Sequence, residues 1–584
     1  MSKKCWLKNS KHSYNIGVGY FYKMVVRIAE PMVKSNDMTL HTFLWRAENV
    51  FTDREIVSRT HNGIHRYTYG EYGDRVRKLA SVLDREGYGK GDRIASFAWN
   101  NHWHHEMYYG VPCQGAQLHM INILLPDTHI QHIVSDAEDK LLFVDPTMLE
   151  TLEDAYDKDA FESIEQFVIM GEEVPQTSLA PVTDYESFIA DGDPDYEFPD
   201  VDEDQAAGMC YTSGTTGKPK GVEYSHKMYW GHTMALMTGE VGLTSQDVEL
   251  TIVPMFHVSG WGRPFATLAA GAKQVLPGPN PAPEDIAALI ENEGVTDSAA
   301  VPTVWRGLLE YAETAETDLS SVEYLHSGGS ATPKGLINEY REKLGIEMVA
   351  GYGMTETTPV THVSELLPHN ADTEGAARTE IRSHAGLPIP GVQMKVVDNE
   401  TNEEVPWDGE SLGEVWMKGP WVTTKYFNAP KKTRESISDD GWLKTGDVAR
   451  VTEDGYTDIV DRLDDLVKSG GEWISSVEVE NRIMGHERIK EAAVVPVEHP
   501  NWDERPAAFV VAHNDVTDPE GLCQALREHV ESEYPSWWVP DAIEFIDEIP
   551  KGSTGKLSKL DLEEKYVNDE IRATVRENAP GTDT

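Results

Sequence analysis

Thirteen residues near the middle of the chain combine glycine, hydroxyl and lysine side chains, a mixture suited to holding phosphate. They run from Cys210 to Val222 as Cys-Tyr-Thr-Ser-Gly-Thr-Thr-Gly-Lys-Pro-Lys-Gly-Val. Glycines let backbone N–H groups curl round an anion, while hydroxyls and lysines add donors and charge. Pro219 stands where a Walker loop needs Ser or Thr after Gly-Lys, which excludes that motif. The candidate phosphate contacts are Thr212, Ser213, Gly214, Thr215, Thr216, Gly217, Lys218 and Lys220.

Six later segments carry further candidate chemistry. They span 254–262, 327–330, 351–356, 442–447, 461–476 and 549–557. One of them ends in Thr-Gly-Asp447, whose carboxylate can accept two O–H donors from a ribose. Another, Ile-Pro-Lys-Gly-Ser-Thr-Gly-Lys-Leu, presents Lys556 on a loop made mobile by its glycines.

Taken together and in this order, these segments resemble the adenylate-forming superfamily. The resemblance covers roughly Thr39 to Leu560, almost the whole chain. Within the superfamily, the segments 253–258, 273–279 and 468–476 are most similar to medium- and long-chain fatty acyl-CoA synthetases. The resemblance implies an α/β fold. A large domain of two packed α/β subdomains plus a small β-barrel would precede a small, mobile α+β domain.

The resemblance also implies roles for individual residues. Lys556 would be the catalytic lysine, His257 would lie between nucleotide and acid, and Trp261 would gate an acyl tunnel. Glu356 and Thr215 would hold Mg²⁺, which takes few protein oxygens and completes its shell with phosphate and water. Beyond the phosphate loop, the implied nucleotide contacts are Val258, Gly329, Ala350 through its backbone, Gly351, Tyr352, Thr355, Asp447, Arg462, Lys468 and Trp473, with Asp464 at the domain hinge.

The implied reaction uses ATP, Mg²⁺ and coenzyme A to convert a fatty acid into its acyl-CoA through an acyl-AMP. Two alternatives stay open, an aryl-CoA ligase of the same superfamily and a catalytically inactive scaffold with this fold. A homodimer is one assembly that the sequence leaves open.

Charge is the strongest bulk signal. The chain has 99 acidic and 51 basic residues, a net −48. A surface of that sign repels phosphate backbones, so we expect no nucleic-acid partner. Such an acidic surface is similar to those of proteins from extreme halophiles, whose high internal salt screens the repulsion between like charges. Four scattered cysteines and the lack of a long apolar run predict a cytoplasmic protein without a membrane span.

Three regions are predicted along the 584 residues. Residues 1–34 form an atypical basic extension with a net +6, which leaves −54 for residues 35–584. Residues 35–462 form the AMP-binding large domain, and residues 463–584 form the mobile C-terminal domain. Strands alternate with helices in the first of these domains, which favours largely parallel sheets.

Four histidines, at 102, 104, 105 and 119, lack a recognisable ligand pattern and are expected to serve packing or the surface.

Overall fold

A computed structural model describes residues 37–212, 218–470, 472–551 and 557–578. The basic extension 1–34, the loop residues Ser213, Gly214, Thr215, Thr216 and Gly217, and Lys556 therefore lie outside the described residues. From Met38 onward the chain forms one compact unit. Among the described residues, none of the helices combines the length and the apolar character needed to cross a membrane.

The strands supply four sheets. In chain order they are β1 Glu55–Thr60, β2 Gly63–Thr68, β3 Arg93–Phe97, β4 Gln117–Met120, β5 Leu141–Val144, β6 Gln166–Ile169, β7 Val182–Asp184, β8 Ala206–Tyr211, β9 Gly221–Ser225, β10 Val248–Leu250, β11 Lys273–Leu276, β12 Asp297–Ala300, β13 Tyr324–Ser327, β14 Glu347–Gly353, β15 Val360–Val363, β16 Leu387–Pro388, β17 Gln393–Val397, β18 Gly413–Lys418, β19 Leu443–Val451, β20 Thr457–Arg462, β21 Val467–Ser469, β22 Glu472–Ile474, β23 Ile489–His499, β24 Asp503–Ala512 and β25 Ala542–Phe545.

The helices cover these sheets. They are α1 His41–Val50, α2 Tyr69–Arg85, α3 His102–Gln114, α4 Asp127–Ala137, α5 Leu149–Ala155, α6 Tyr185–Ile189, α7 His226–Leu236, α8 Arg263–Ala270, α9 Pro283–Glu293, α10 Pro302–Thr314, α11 Lys334–Glu339, α12 Gly375–Ser383, α13 Pro430–Ser436, α14 Ser476–Met484, α15 Pro519–Glu531, α16 Lys559–Tyr566 and α17 Asp569–Asn578.

Two large sheets form the first part of the fold. One has seven strands in the order β7-β6-β5-β3-β4-β8-β9, and the other has nine in the order β16-β15-β14-β13-β12-β10-β11-β1-β2. The central strands of both are parallel, with β3 between β4 and β5 and with β10 between β11 and β12. Parallel strands buried on both faces need helical crossovers, which the intervening helices provide. The predicted α/β class is confirmed.

Two smaller sheets complete the fold. The predicted small β-barrel corresponds to a four-stranded antiparallel sheet in the order β17-β18-β19-β20. The last sheet has the order β22-β21-β24-β23 with β25 beside β24, and helices α14 and α15 pack on its core. The change from one sheet to the next falls between Arg462 and Val467, next to the predicted hinge.

Local signals explain individual elements. At the start of α2, the Oγ1 of Thr68 accepts the N–H of Glu71 and a Glu71 carboxylate oxygen accepts the N–H of Thr68. This capping box satisfies two backbone donors that a helix start leaves unpaired.

The four histidines of α3 and β4 are packing residues, as predicted. All four are buried, and burial lowers the pKa of His104 to about 4 and of His105 to about 3.

Candidate active site

The phosphate loop is the turn of an antiparallel hairpin between β8 and β9. The N–H of Thr212 donates to the carbonyl of Lys220 (3.0 Å), and the N–H of Lys220 donates to the Thr212 Oγ1 (3.2 Å). These two bonds close the base of the loop. Lys218 is exposed and Lys220 is half-buried. The hairpin thus fixes both ends of a segment whose five central residues lie outside the described part.

Lys220 lies among other charges. Burial is the main cause that lowers the pKa of its ammonium, and the neighbouring cation Lys432 lowers it further, while Glu356 opposes both. After the loop, Ser225 caps α7, its Oγ accepting the N–H of Met228. The loop therefore leads through a short strand into a capped helix.

Glu356 lies in a short 3-10 turn, Thr355–Thr357, directly after β14. Its carboxylate is buried and its Oε1 accepts the hydroxyl of Tyr426 at 2.6 Å. The turn is held from two further sides, because Tyr224 donates to the carbonyl of Thr355 (2.8 Å) and the N–H of Thr423 donates to the carbonyl of Glu356 (2.8 Å). Burial and the adjacent Glu356 both raise the pKa of the Tyr426 hydroxyl. Tyr426 therefore stays a donor and fixes the carboxylate.

Three predicted nucleotide contacts from distant segments meet at one carboxylate. Tyr352 in β14 donates its hydroxyl to the Asp447 Oδ2, and the Arg462 Nε lies 2.8 Å from the Asp447 Oδ1. Asp447 in β19 and Arg462 in β20 are direct partners across the antiparallel ladder. The neighbouring carboxylate of Asp447 is the main reason why the pKa of Arg462 is raised. The cluster places a fixed carboxylate and a cation side by side, as ribose and phosphate binding requires.

The backbone around β13 and β14 brings a second set of predicted residues close. Gly329 follows β13 with a φ of 80°, a conformation that favours glycine. A Cβ on the preceding Gly328 would lie 3.0 Å from the Gly351 carbonyl and 3.2 Å from the ring of Trp261. Trp261 therefore packs against the loop predicted to border the adenine. The N–H of Ala350 donates to the Ser364 Oγ (3.0 Å), and the carbonyl of Ala350 accepts the N–H of Ser364 (2.9 Å).

Residues 258–262 form a left-handed turn. The φ angles of Val258, Ser259, Gly260, Trp261 and Gly262 are 45°, 54°, 61°, 54° and 74°. For an L-residue this conformation costs roughly 1–2 kcal/mol. Three hydrogen bonds stabilise the turn. The N–H of Gly260 donates to the carbonyl of His257 (3.1 Å), and the N–H of Gly262 donates to the carbonyl of Ser259 (3.0 Å). The hydroxyls of Ser259 and Tyr229 form the third bond, at 2.8 Å. Sequence reasoning predicted the residues of this segment but not its hand.

The predicted hinge lies on the surface. Asp464 is exposed, in the turn that joins β20 to β21, and the N–H of Asp465 closes that turn on the Arg462 carbonyl (3.1 Å). Lys468 and Trp473 are cross-strand partners in the β21–β22 hairpin, with the Lys468 ammonium 5.4 Å from the Trp473 ring centre. Among the described residues they pair with each other rather than with the Tyr352–Asp447–Arg462 cluster, so their nucleotide role stays a prediction.

Tyr426 is the residue of this site that sequence reasoning missed. It lies 70 positions from Glu356 and just before α13. A tyrosine before an Asn-Ala-Pro helix start has no spacing that points to Glu356. Only the fold reveals the contact.

Comparison with known proteins places the chain among adenylate-forming enzymes. The model of the AMP-binding enzyme family matches residues 44–427, and that of the AMP-binding enzyme C-terminal domain matches residues 478–556. A long-chain-fatty-acid–CoA ligase of Thermus thermophilus is 43% identical over 91% of this chain and 96% of its own. A medium-chain-fatty-acid–CoA ligase of Ectopseudomonas oleovorans is 37% identical over 92% and 98%. The crystal structure of the anthranilate CoA ligase AuaEII with anthranoyl-AMP superposes with a TM-score of 0.80 at 25% identity, over 92% and 98%.

Proposed function

We propose that this chain, which belongs to the AMP-binding enzyme family, activates a medium- or long-chain fatty acid with ATP and passes the acyl group to coenzyme A. The observation that carries the proposal is 43% identity, over 91% of the chain, to a long-chain-fatty-acid–CoA ligase. In the first half, a carboxylate oxygen of the acid attacks the α-phosphorus and the bond to the β-phosphate breaks, releasing pyrophosphate. In the second, the thiol of coenzyme A attacks the acyl carbonyl carbon, and AMP leaves.

The Tyr352–Asp447–Arg462 cluster supports nucleotide binding. Each carboxylate oxygen of Asp447 already accepts one donor, and each keeps a lone pair for a ribose hydroxyl. Because Tyr352 and Arg462 orient the carboxylate beforehand, binding requires little reorganisation. Arg462, with 54% of its side chain exposed, retains access to a phosphate.

The residues near Glu356 fit a magnesium ion. Tyr426 occupies one side of the Glu356 carboxylate and leaves Oε2 as a hard oxygen ligand, the kind that Mg²⁺ prefers. Glu356 and Thr215 would hold the ion, which would neutralise phosphate charge. Lys220 adds a cation near Glu356, and Lys556 is proposed to add another at the α-phosphate, where negative charge develops.

The remaining parts of the proposal concern the acyl group, the domains and the cell compartment. The packing of Trp261 against Gly328 supports a ring that separates nucleotide from acyl group, with His257 close by in sequence. Residues 463–584 would act as the small mobile domain after 35–462, turning at Asp464. Cys113, Cys210 and Cys523 are free thiols, which supports a cytoplasmic location. A sedimentation measurement tests whether the chain forms the homodimer that the sequence leaves open.

The test is ATP–pyrophosphate exchange with a panel of acids, followed by thioester formation with coenzyme A. Each buried CH₂ contributes about 0.8 kcal/mol, so affinity should rise roughly fourfold per added carbon until the tunnel is full. Highest exchange with benzoate or coumarate would favour the aryl-CoA ligase. No exchange with any acid, from a protein shown to be folded, would favour the inactive scaffold.

A further inference from the structure

A concentration of positive charge stands out against the acidic chain. Residues 415–434 contain five lysines and arginines and no Asp or Glu, whereas the whole chain has a net −48. Three of these cations lie in helix α13 and a fourth lies five residues before its start, and we call the four the cationic platform: Lys425, Lys431, Lys432 and Arg434. The side chains of Lys425 and Lys431 are 68% and 87% exposed.

The cationic platform is attached directly to the phosphate loop. The N–H of Phe427 donates to the carbonyl of Gly221 at 2.8 Å, one residue beyond Lys220. Lys425 reaches Glu223 on the same strand at 3.1 Å. A cavity of about 540 Å³ opens here, and its lining includes Glu223, Lys425, Tyr426 and Arg434. The cavity therefore lies between two cations of the platform, Lys425 and Arg434, and the strand that follows the loop, and its wall includes Tyr426, the partner of Glu356.

The charges on this surface are not balanced. Lys425 and Lys431 each have one carboxylate partner, Glu223 and Glu435. Among the described residues, no ion pair is formed by Lys432 or Arg434 within 4.0 Å. Burial is the larger cause that lowers the pKa of Lys220, and the nearby ammonium of Lys432 lowers it further, so the two cations lie close together. Two like charges held together favour an anion between them.

We propose that the cationic platform binds pyrophosphate as it leaves the phosphate loop. This proposal rests on the proposed function, since that reaction generates the pyrophosphate. The first half-reaction releases it at the loop, and the platform is the cationic surface that continues from the loop. Acidic surface elsewhere would repel the ion. Coenzyme A is the less favoured ligand, because the platform adjoins the phosphate loop, where ATP rather than the acyl group is expected to bind.

The test uses the full chain with Lys431→Gln, Lys432→Gln and Arg434→Gln combined. The KM for pyrophosphate in ATP–pyrophosphate exchange should rise roughly tenfold, equivalent to about 1.4 kcal/mol. The KM values for fatty acid and coenzyme A should change less than twofold. A matched control, Lys158→Gln, Lys334→Gln and Lys490→Gln, removes the same charge from other elements and should leave the KM for pyrophosphate unchanged. Lys432→Arg should preserve it too.

Each possible result of these measurements either supports or overturns the proposal. An unchanged KM for pyrophosphate, or an equal rise in the control, overturns the proposal while the proposed function stands. A raised KM for coenzyme A with normal pyrophosphate kinetics also overturns it and assigns the platform to coenzyme A. If the wild type shows no exchange, the proposed function fails. Calorimetric titration with magnesium pyrophosphate then tests the platform directly, and equal binding by wild type and triple variant refutes it. Measurements belong at the lowest salt that preserves the fold, because salt screens exposed charges.

Discussion

The sharpest prediction about the proposed magnesium site concerns the hydroxyl of Tyr426. Tyr426→Phe removes one donor from the buried carboxylate of Glu356 and changes nothing else in the side chain. The bond is 2.6 Å long and its acceptor is a carboxylate. Hydrogen bonds to charged groups contribute about 1.5–3 kcal/mol. If that energy goes into orienting Glu356 for the metal, the KM for Mg²⁺ should rise roughly ten- to a hundredfold.

Tyr224→Phe is the matched control. Its hydroxyl is also buried and also braces the turn, but it donates to the backbone carbonyl of Thr355 (2.8 Å) rather than to the carboxylate. Tyr224→Phe should lose about 1 kcal/mol of unfolding free energy with its neutral bond, and Tyr426→Phe should lose about 1.5–3 kcal/mol with its bond to a charged acceptor. Only Tyr426→Phe should alter the Mg²⁺ requirement.

Two measurements check this prediction. The first is the KM for Mg²⁺ in ATP–pyrophosphate exchange at saturating ATP. The second needs no turnover: the rise in melting temperature that ATP causes should depend on Mg²⁺ in wild type and Tyr224→Phe, and much less in Tyr426→Phe. An identical Mg²⁺ response in the two variants would refute the view that Tyr426 positions a metal ligand.

Further predictions concern the loop lysine, the acyl site, the hinge and salt. Lys556→Ala should abolish acyl-AMP formation and spare thioester formation from supplied acyl-AMP; equal loss of both halves would contradict its role. Trp261→Ala should change chain-length preference, and an unaltered profile would count against the gate. Asp464→Pro should keep acyl-AMP formation within a few-fold and severely reduce thioester formation, because proline fixes φ near roughly −65°; an equal effect of Asp464→Ala would implicate the carboxylate instead. Activity and melting temperature should fall in dilute buffer, because a net −54 over residues 35–584 needs screening; a salt-independent melting curve would exclude this.

The sequence predicted features that are encoded locally. The alternation of strands and helices, which was predicted, depends on neighbours a few residues apart, as does the capping box that the structure shows at Thr68 and Glu71. The contact of Tyr352, Asp447 and Arg462 could also be anticipated, but through resemblance to a family rather than through spacing. These residues are brought together by the pairing of β19 with β20 and by the position of β14.

Features that depend on long-range packing were not predictable in the same way. The partner of Glu356 lies 70 residues away, in a segment without a recognised motif. The cationic platform has a compositional signal, since residues 415–434 lack acids, but its place beside Gly221 depends on a backbone contact between distant segments. Charge composition can therefore indicate that a patch exists, whereas only the fold shows what it adjoins.

The left-handed turn at 258–262 bears on why Trp261 lies where it does. Val258, Ser259 and Trp261 each carry a Cβ in a region that costs an L-residue roughly 1–2 kcal/mol. A turn of that cost persists only when its surroundings determine it strongly. Here the surroundings include the Ser259–Tyr229 hydroxyl bond and the contact between the Trp261 ring and Gly328. Because that ring borders the loop predicted to hold adenine, the stored strain lies between the proposed nucleotide and acyl sites.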